Sequence, residues 1–144
     1  MDVTVSSTTM IVVDTSVLAR MFLRENGYQT LQRAVFASVS AQVPVCCVVE
    51  FVALRRLGES RMAWLERFLD RKSVHVVGVG PEHGELATHA ALKYGKGSGH
   101  PAQLNFGDCL VYAVARYRDL PLLFVGDDFG RTDVIPALPQ SITG

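Results

Sequence analysis

Three short apolar runs, Met10 to Val13, Val74 to Val79 and Leu122 to Val125, stand apart from the rest of the chain, where apolar residues recur mostly at helical spacing. The first is continuously apolar and ends at a polar residue, which reads as a strand buried on both faces, the condition of a parallel sheet. The other two read as further strands.

The segments between the runs carry helix signals. Asp14-Thr15-Ser16 supplies capping chemistry for a helix with Leu18, Met21 and Phe22 on its apolar face. Leu31, Ala34, Val35 and Phe36 predict a second helix that ends before Pro44. Val45 to Val48 reads equally as a strand or as the approach to the next helix, because periodicity is mute over so short a run. Glu50 falls just inside the helical stretch that follows and continues to Leu57, where Gly58 breaks it. Met62, Leu65, Phe68 and Leu69 mark another helix. Pro81 at a first helical position opens a helix through Tyr94, and Gly107 to Tyr117 forms the last, with Gly95 to Gln103 as a loop between them.

This order predicts an α/β fold, a three-layer α/β/α sandwich around a central parallel sheet. The 144-residue chain is long enough to bury roughly 70% of its unfolded surface without a disulfide or metal staple. Residues 10–144 are expected to form one domain. Met1 to Thr9, polar and rich in Ser and Thr, is expected to be a disordered extension, with translation starting at Met1 or at Met10. It has neither the basic start nor the apolar run of a signal peptide. No apolar stretch reaches about 18 residues, so no membrane span is expected. Three cysteines, two of them adjacent at Cys46 and Cys47, form neither an even framework nor a zinc spacing, which fits a reducing cytoplasm.

The informative residues are acids. Asp14 directly follows the first run, and Asp127 and Asp128 closely follow the third, so both can open onto one crevice at the carboxyl ends of the strands. Glu50 and Asp108 lie at or near helix starts. Two bare carboxylates at about 4 Å repel by about 4 kcal/mol at an effective dielectric near 20. A convergent cluster therefore needs a cation or takes up protons. Oxygen ligands without His or Cys suit a hard ion, Mg²⁺ or Mn²⁺ rather than zinc, and such an ion activates water for phosphodiester hydrolysis.

Each acid also has a plainer reading. Asp14 and Asp108 serve equally as N-caps, Asp127 and Asp128 as turn residues, and Glu50 as part of a solvated helix face. Thr15 and Ser16 suit contact with a phosphate or a metal-bound water, or helix capping. Arg55, Arg56, Arg61, Arg67, Arg71 and Lys72 read as a solvated basic surface from which Arg55 and Arg56 are candidates for RNA phosphate contacts. The four histidines share no i, i+4 pair.

Taken together, Ile11-Val12-Val13-Asp14-Thr15-Ser16, Glu50, Asn105-Phe106-Gly107-Asp108-Cys109, and Leu122-Leu123-Phe124 through Gly126-Asp127-Asp128-Phe129 with Thr132-Asp133-Val134 closely resemble PIN-domain ribonuclease toxins of the VapC type. The resemblance runs from Met10 to Pro136. It implies an Mg²⁺- or Mn²⁺-dependent endoribonuclease, the toxin of a type II toxin-antitoxin pair, with Asp14, Glu50 and Asp108 as core acids and Asp127 or Asp128 as the fourth. It also implies a cognate antitoxin, an RNA substrate and a homodimer. The alternative is a catalytically inactive PIN-like module that binds RNA or protein. A phosphoacceptor receiver domain fits less well, since Asp14 is a single acid and no Lys occurs after Lys96.

The charge balance of 14 basic against 14 acidic residues excludes a simple polycationic nucleic-acid binder. With four acids pooled in one site, the remainder carries a surplus of four positive charges, an acidic pocket in a mildly basic surface.

Overall fold

The computed structural model describes residues 9–139. The elements are β1 (Met10–Val13), α1 (Thr15–Leu23), α2 (Tyr28–Ala37), β2 (Ser40–Pro44), α3 (Val45–Ala53), α4 (Arg61–Leu69), β3 (Val74–Val77), α5 (Gly84–Tyr94), α6 (Phe106–Arg118) and β4 (Leu122–Leu123). Short 3-10 turns cover Arg55–Leu57, Pro81–His83 and Phe129–Arg131.

The four strands form one parallel sheet in the order β3-β2-β1-β4, flanked by the six helices. From β1 the chain steps one way to β2 and β3, then returns across the sheet to β4 on the other side of β1. Right-handed crossovers put the helices of these two excursions on opposite faces, giving the three-layer sandwich. The point where strand order reverses lies between β1 and β4, and the crevice outside their carboxyl ends is where such sheets place sites. Beyond β4, Leu122 donates to the Ile135 carbonyl and accepts from Ala137, so residues 135–137 run along its free edge.

The core is continuous. Ile11, Val12 and Val13 of β1 are fully buried, as expected for a central strand, and meet Leu18, Phe51, Leu65, Val114 and Leu122 in one apolar cluster. Trp64 stacks on Phe68 at 5.2 Å between centroids and meets Phe22 and Phe51, tying α4 to α1 and α3. Full burial of each large side chain contributes roughly 1.5–3 kcal/mol.

β3 ends at Val77 rather than Val79 and, as an edge strand, leaves His75 and Val76 exposed, and β4 is only Leu122–Leu123, but the largest departure from the sequence reading is β2. The segment Val45 to Val48 is helix, and the missing strand is the five residues before it. β2 carries Ser40 and Gln42, which disguise a central strand; Gln42 is tolerated in the interior because its Oε1 accepts from Arg118 at 3.1 Å. Pro44 ends β2 and directly precedes the first residue of α3, so no turn residue marks the junction. The helix after it also stops earlier than expected. Arg61 donates to the Val52 and Gly58 carbonyls at 2.7 and 2.8 Å, satisfying groups freed where α3 gives way to the 3-10 turn.

Of the expected N-terminal extension, residues 1–8 lie outside the described residues. Thr9, its last member, accepts a hydrogen bond from the Val39 amide at 2.9 Å. Among the described residues no helix is long and apolar enough to cross a membrane.

Candidate active site

Asp14 leaves β1 and caps α1 in the same step. Its backbone is extended, its amide donates to Leu123 of β4, and its Oδ2 accepts from both the amide and the hydroxyl of Ser16, at 3.0 and 2.5 Å. The residue is 5% exposed. Burial pushes its carboxyl above the usual range and the Glu50 charge adds to this, while the Ser16 bonds pull the other way.

Asp108 sits in the first turn of α6 in a reciprocal capping box. Its amide donates to Asn105 Oδ1 at 2.8 Å, and its Oδ2 accepts from the Asn105 amide at 3.1 Å. Burial, then the charge of Asp14, pushes its carboxyl up to about 7; Glu50 and Asp128 contribute less, and the Asn105 amide opposes them.

Glu50 lies in α3, half-buried. Its Oε2 is packed against the α6 backbone, 3.1 Å from where a Cβ on Gly107 would stand. It opens onto a groove of about 390 Å³ with Cys46, Val49, Phe106, Gly107 and Leu110.

Gly126, with φ +98°, turns the chain sharply after β4. Both Asp127 and Asp128 are exposed, and the charge of Asp128 bears on Asp108. Asp14, Glu50, Asp108 and Asp128 thus share one electrostatic neighbourhood, drawn from the end of β1, α3, α6 and the turn after β4.

The remaining candidates are placed as follows. Ser16 Oγ is engaged on both sides, donating to Asp14 and accepting from the Val125 amide at 3.0 Å. Thr15 Oγ1 is buried and has no hydrogen-bond partner. Arg55 and Arg56 are exposed on the 3-10 turn beyond the end of α3, which carries Glu50. Asp133, part of the motif Thr132-Asp133-Val134, accepts from the Tyr112 hydroxyl at 2.7 Å and pairs with Arg116 at 3.8 Å. Sequence reasoning left Tyr112, Gly107 and the Ser16–Val125 bond without a role, because each depends on contact between distant segments.

Among the described residues, no three acidic, His or Cys side chains converge closely enough to form a ready-made metal cluster. The donor chemistry nevertheless fits a hard divalent ion. All the donors are carboxylate oxygens, and burial, with the charge of the neighbouring acids adding to it, makes the two innermost carboxyls hold protons more tightly than usual. An ion such as Mg²⁺ binds through one or two carboxylates and keeps much of its water.

A doubly wound sheet with acids at its switch point defines a class, and comparison with known proteins specifies it. The PIN domain family model matches residues 11–135. Ribonuclease VapC42 of Mycobacterium tuberculosis is 38% identical over 128 residues, covering 88% of this chain and 98% of the relative. The crystal structure of VapC20 from the same organism, a sarcin-ricin loop cleaving toxin, superposes with a TM-score of 0.71 at 21% identity, covering 90% of this chain and 99% of that one. The VapBC2 structure from Rickettsia felis, bound to a DNA fragment from its promoter, gives 0.63 at 15% identity, covering 90% and 96%. The chain belongs to the PIN-domain family and, within it, to the VapC ribonucleases.

Proposed function

We propose that this protein is a metal-dependent endoribonuclease acting as the toxin of a type II toxin-antitoxin pair in the cytoplasm. The carrying observation is the shared electrostatic neighbourhood of Asp14, Glu50, Asp108 and Asp128 at the carboxyl edge of the sheet, where burial and mutual repulsion favour positive charge. Its relatives' names, ribonucleases over nearly their whole length, support the reading.

In this reading Asp14 and Asp108 hold Mg²⁺ or Mn²⁺, with Glu50 and Asp128 completing the acidic shell. When bound, the ion supplies activation of water and neutralisation of charge on the phosphodiester. Asp14 is fixed by its Ser16 bonds and excluded from bulk water, so its charge acts at full strength. Glu50 is backed against Gly107, which aims its carboxylate from the α3 side. Arg55 and Arg56 contact RNA phosphates, positioning the strand without reading its sequence.

An antitoxin partner is supported by the toxin-antitoxin complexes among the structural neighbours. A homodimer is supported by exposed apolar residues around the 390 Å³ groove, notably Phe106 at 82% and Val49 at 64% exposure.

The test is growth on induction, with cellular RNA ends mapped. The wild type is expected to arrest growth and generate new 5′ ends at defined sites, and Asp14→Ala to do neither. Asp128→Asn is expected to weaken the effect and Asp127→Asn to retain it. Equal arrest and identical RNA ends from Asp14→Ala would remove the nuclease reading, leaving an inactive binding module.

A further inference from the structure

The ladder between β1 and β4 ends abruptly. Its last backbone bond is the Asp14 amide to the Leu123 carbonyl, after which β1 turns into α1. The Asp14 carbonyl, which would continue a parallel ladder, accepts from Val17 instead as the first carbonyl of the helix. The Val125 amide is thereby left without a strand acceptor. Ser16 Oγ takes it, at 3.0 Å.

With Asp14 ionised, the form that binds a cation, the direction of every bond in this chain is settled by chemistry. An amide only donates and the carboxylate only accepts, so the single hydroxyl proton of Ser16 goes to Asp14 Oδ2 and its oxygen receives the Val125 amide. Bonds arranged head to tail strengthen one another. The hydroxyl therefore does two things. It puts a second hydrogen bond on Oδ2 beside that of the Ser16 amide, leaving Oδ1 the less engaged oxygen. It also anchors the backbone one residue before Gly126, where the turn bearing Asp128 departs.

Capping of α1 requires only the Ser16 amide, so the hydroxyl has a separate task. We propose that Ser16 is a positioning residue: its hydroxyl selects the oxygen Asp14 presents to a divalent cation and holds the Asp128 turn in register with it. This inference rests on the metal-dependent reading above.

The test titrates Mn²⁺ into metal-free, full-length protein by calorimetry, for the wild type, Ser16→Ala and Ser16→Thr, with thermal melts of each. Ser16→Ala is expected to weaken Mn²⁺ binding about 10-fold or more, as loss of a hydrogen bond supporting a ligand typically does. Ser16→Thr, which keeps the hydroxyl, is expected within about threefold of wild type, a rescue that general loss of folding does not produce. Wild-type affinity in a folded Ser16→Ala protein overturns the positioning role and leaves the nuclease reading standing. Equal weakening in Ser16→Thr and Ser16→Ala, both folded, also overturns it. Absence of Mn²⁺ binding by the wild type overturns both.

Discussion

Glu50 and Gly107 are fitted to each other: the Glu50 carboxylate occupies the space a side chain at Gly107 would need, with Oε2 3.1 Å from the site of a Cβ. Gly107 lies in the first turn of α6 and its φ is not in the left-handed region, so the backbone itself does not demand glycine. Gly107→Ala is therefore expected to leave stability unchanged or raise it by up to about 1 kcal/mol, through helix propensity and a less flexible unfolded chain. The carboxylate must yield by a few tenths of an ångström, and RNA cleavage is expected to fall about 3–10-fold. Urea unfolding and cleavage rates on the same preparation check the two opposite signs.

Asp108 makes the metal-free protein sensitive to pH in a direction opposite to that of a salt-bridged carboxylate. Burial and the Asp14 charge push it up to about 7 in the folded protein, against about 4 in the unfolded chain. Between these values the folded state holds a proton that the unfolded state has lost, so stability falls as pH rises through the window. Asp14 is shifted the same way and adds to the slope. Thermal melts in chelator are expected to drop by a few °C from pH 5 to 7.5, on the order of 1–2 kcal/mol once screening of a partly exposed carboxyl is allowed for. Asp108→Asn is expected to flatten the slope.

Tyr112 and Asp133 pin the segment after β4 to α6. The phenol is buried, and burial followed by the Asp133 bond pushes its ionisation well upward, keeping it a donor. Tyr112→Phe removes that donor while keeping the ring. A loss of about 1 kcal/mol is expected, at the low end for a bond to a charged acceptor because Asp133 is half exposed. The urea midpoint should fall accordingly, with cleavage activity within about twofold of wild type.

Legibility from sequence followed how locally each feature is determined. β1 is a run of apolar residues closed by Asp14, and nothing but a central parallel strand reads that way; the structure agrees to the residue. β4 was legible as a strand but is only two residues long, because β1 turns into α1 and leaves no further ladder partner. β2 was hidden because Gln42 is solvated by Arg118, 76 positions away, and because Pro44 passes straight into α3. In the site, Asp14 is legible as a strand-end acid and as the N-cap of α1, and it is placed as both, whereas Asp108, read as an N-cap, is instead the third residue of α6 in a capping box whose N-cap is Asn105. Asp127 and Asp128 are indistinguishable by type, and it takes the path of the turn after Gly126 to bring the charge of Asp128 to bear on Asp108. Ser16 was legible as a capping residue, whereas its bond to Val125 spans 109 positions and needed the fold.

The central claim is that these acids form a metal-dependent ribonuclease site, and Asp108→Asn tests it most directly. The substitution keeps size and an oxygen for the capping box while removing the charge. The measurement is cleavage of RNA by purified wild type and variant in Mg²⁺ or Mn²⁺, and of the wild type in chelator, in preparations shown free of contaminating nuclease. The expected result is cleavage by the metal-loaded wild type alone, with the folded variant slower by about 100-fold or more. Cleavage by Asp108→Asn at the wild-type rate, or undiminished cleavage in chelator, would contradict the account.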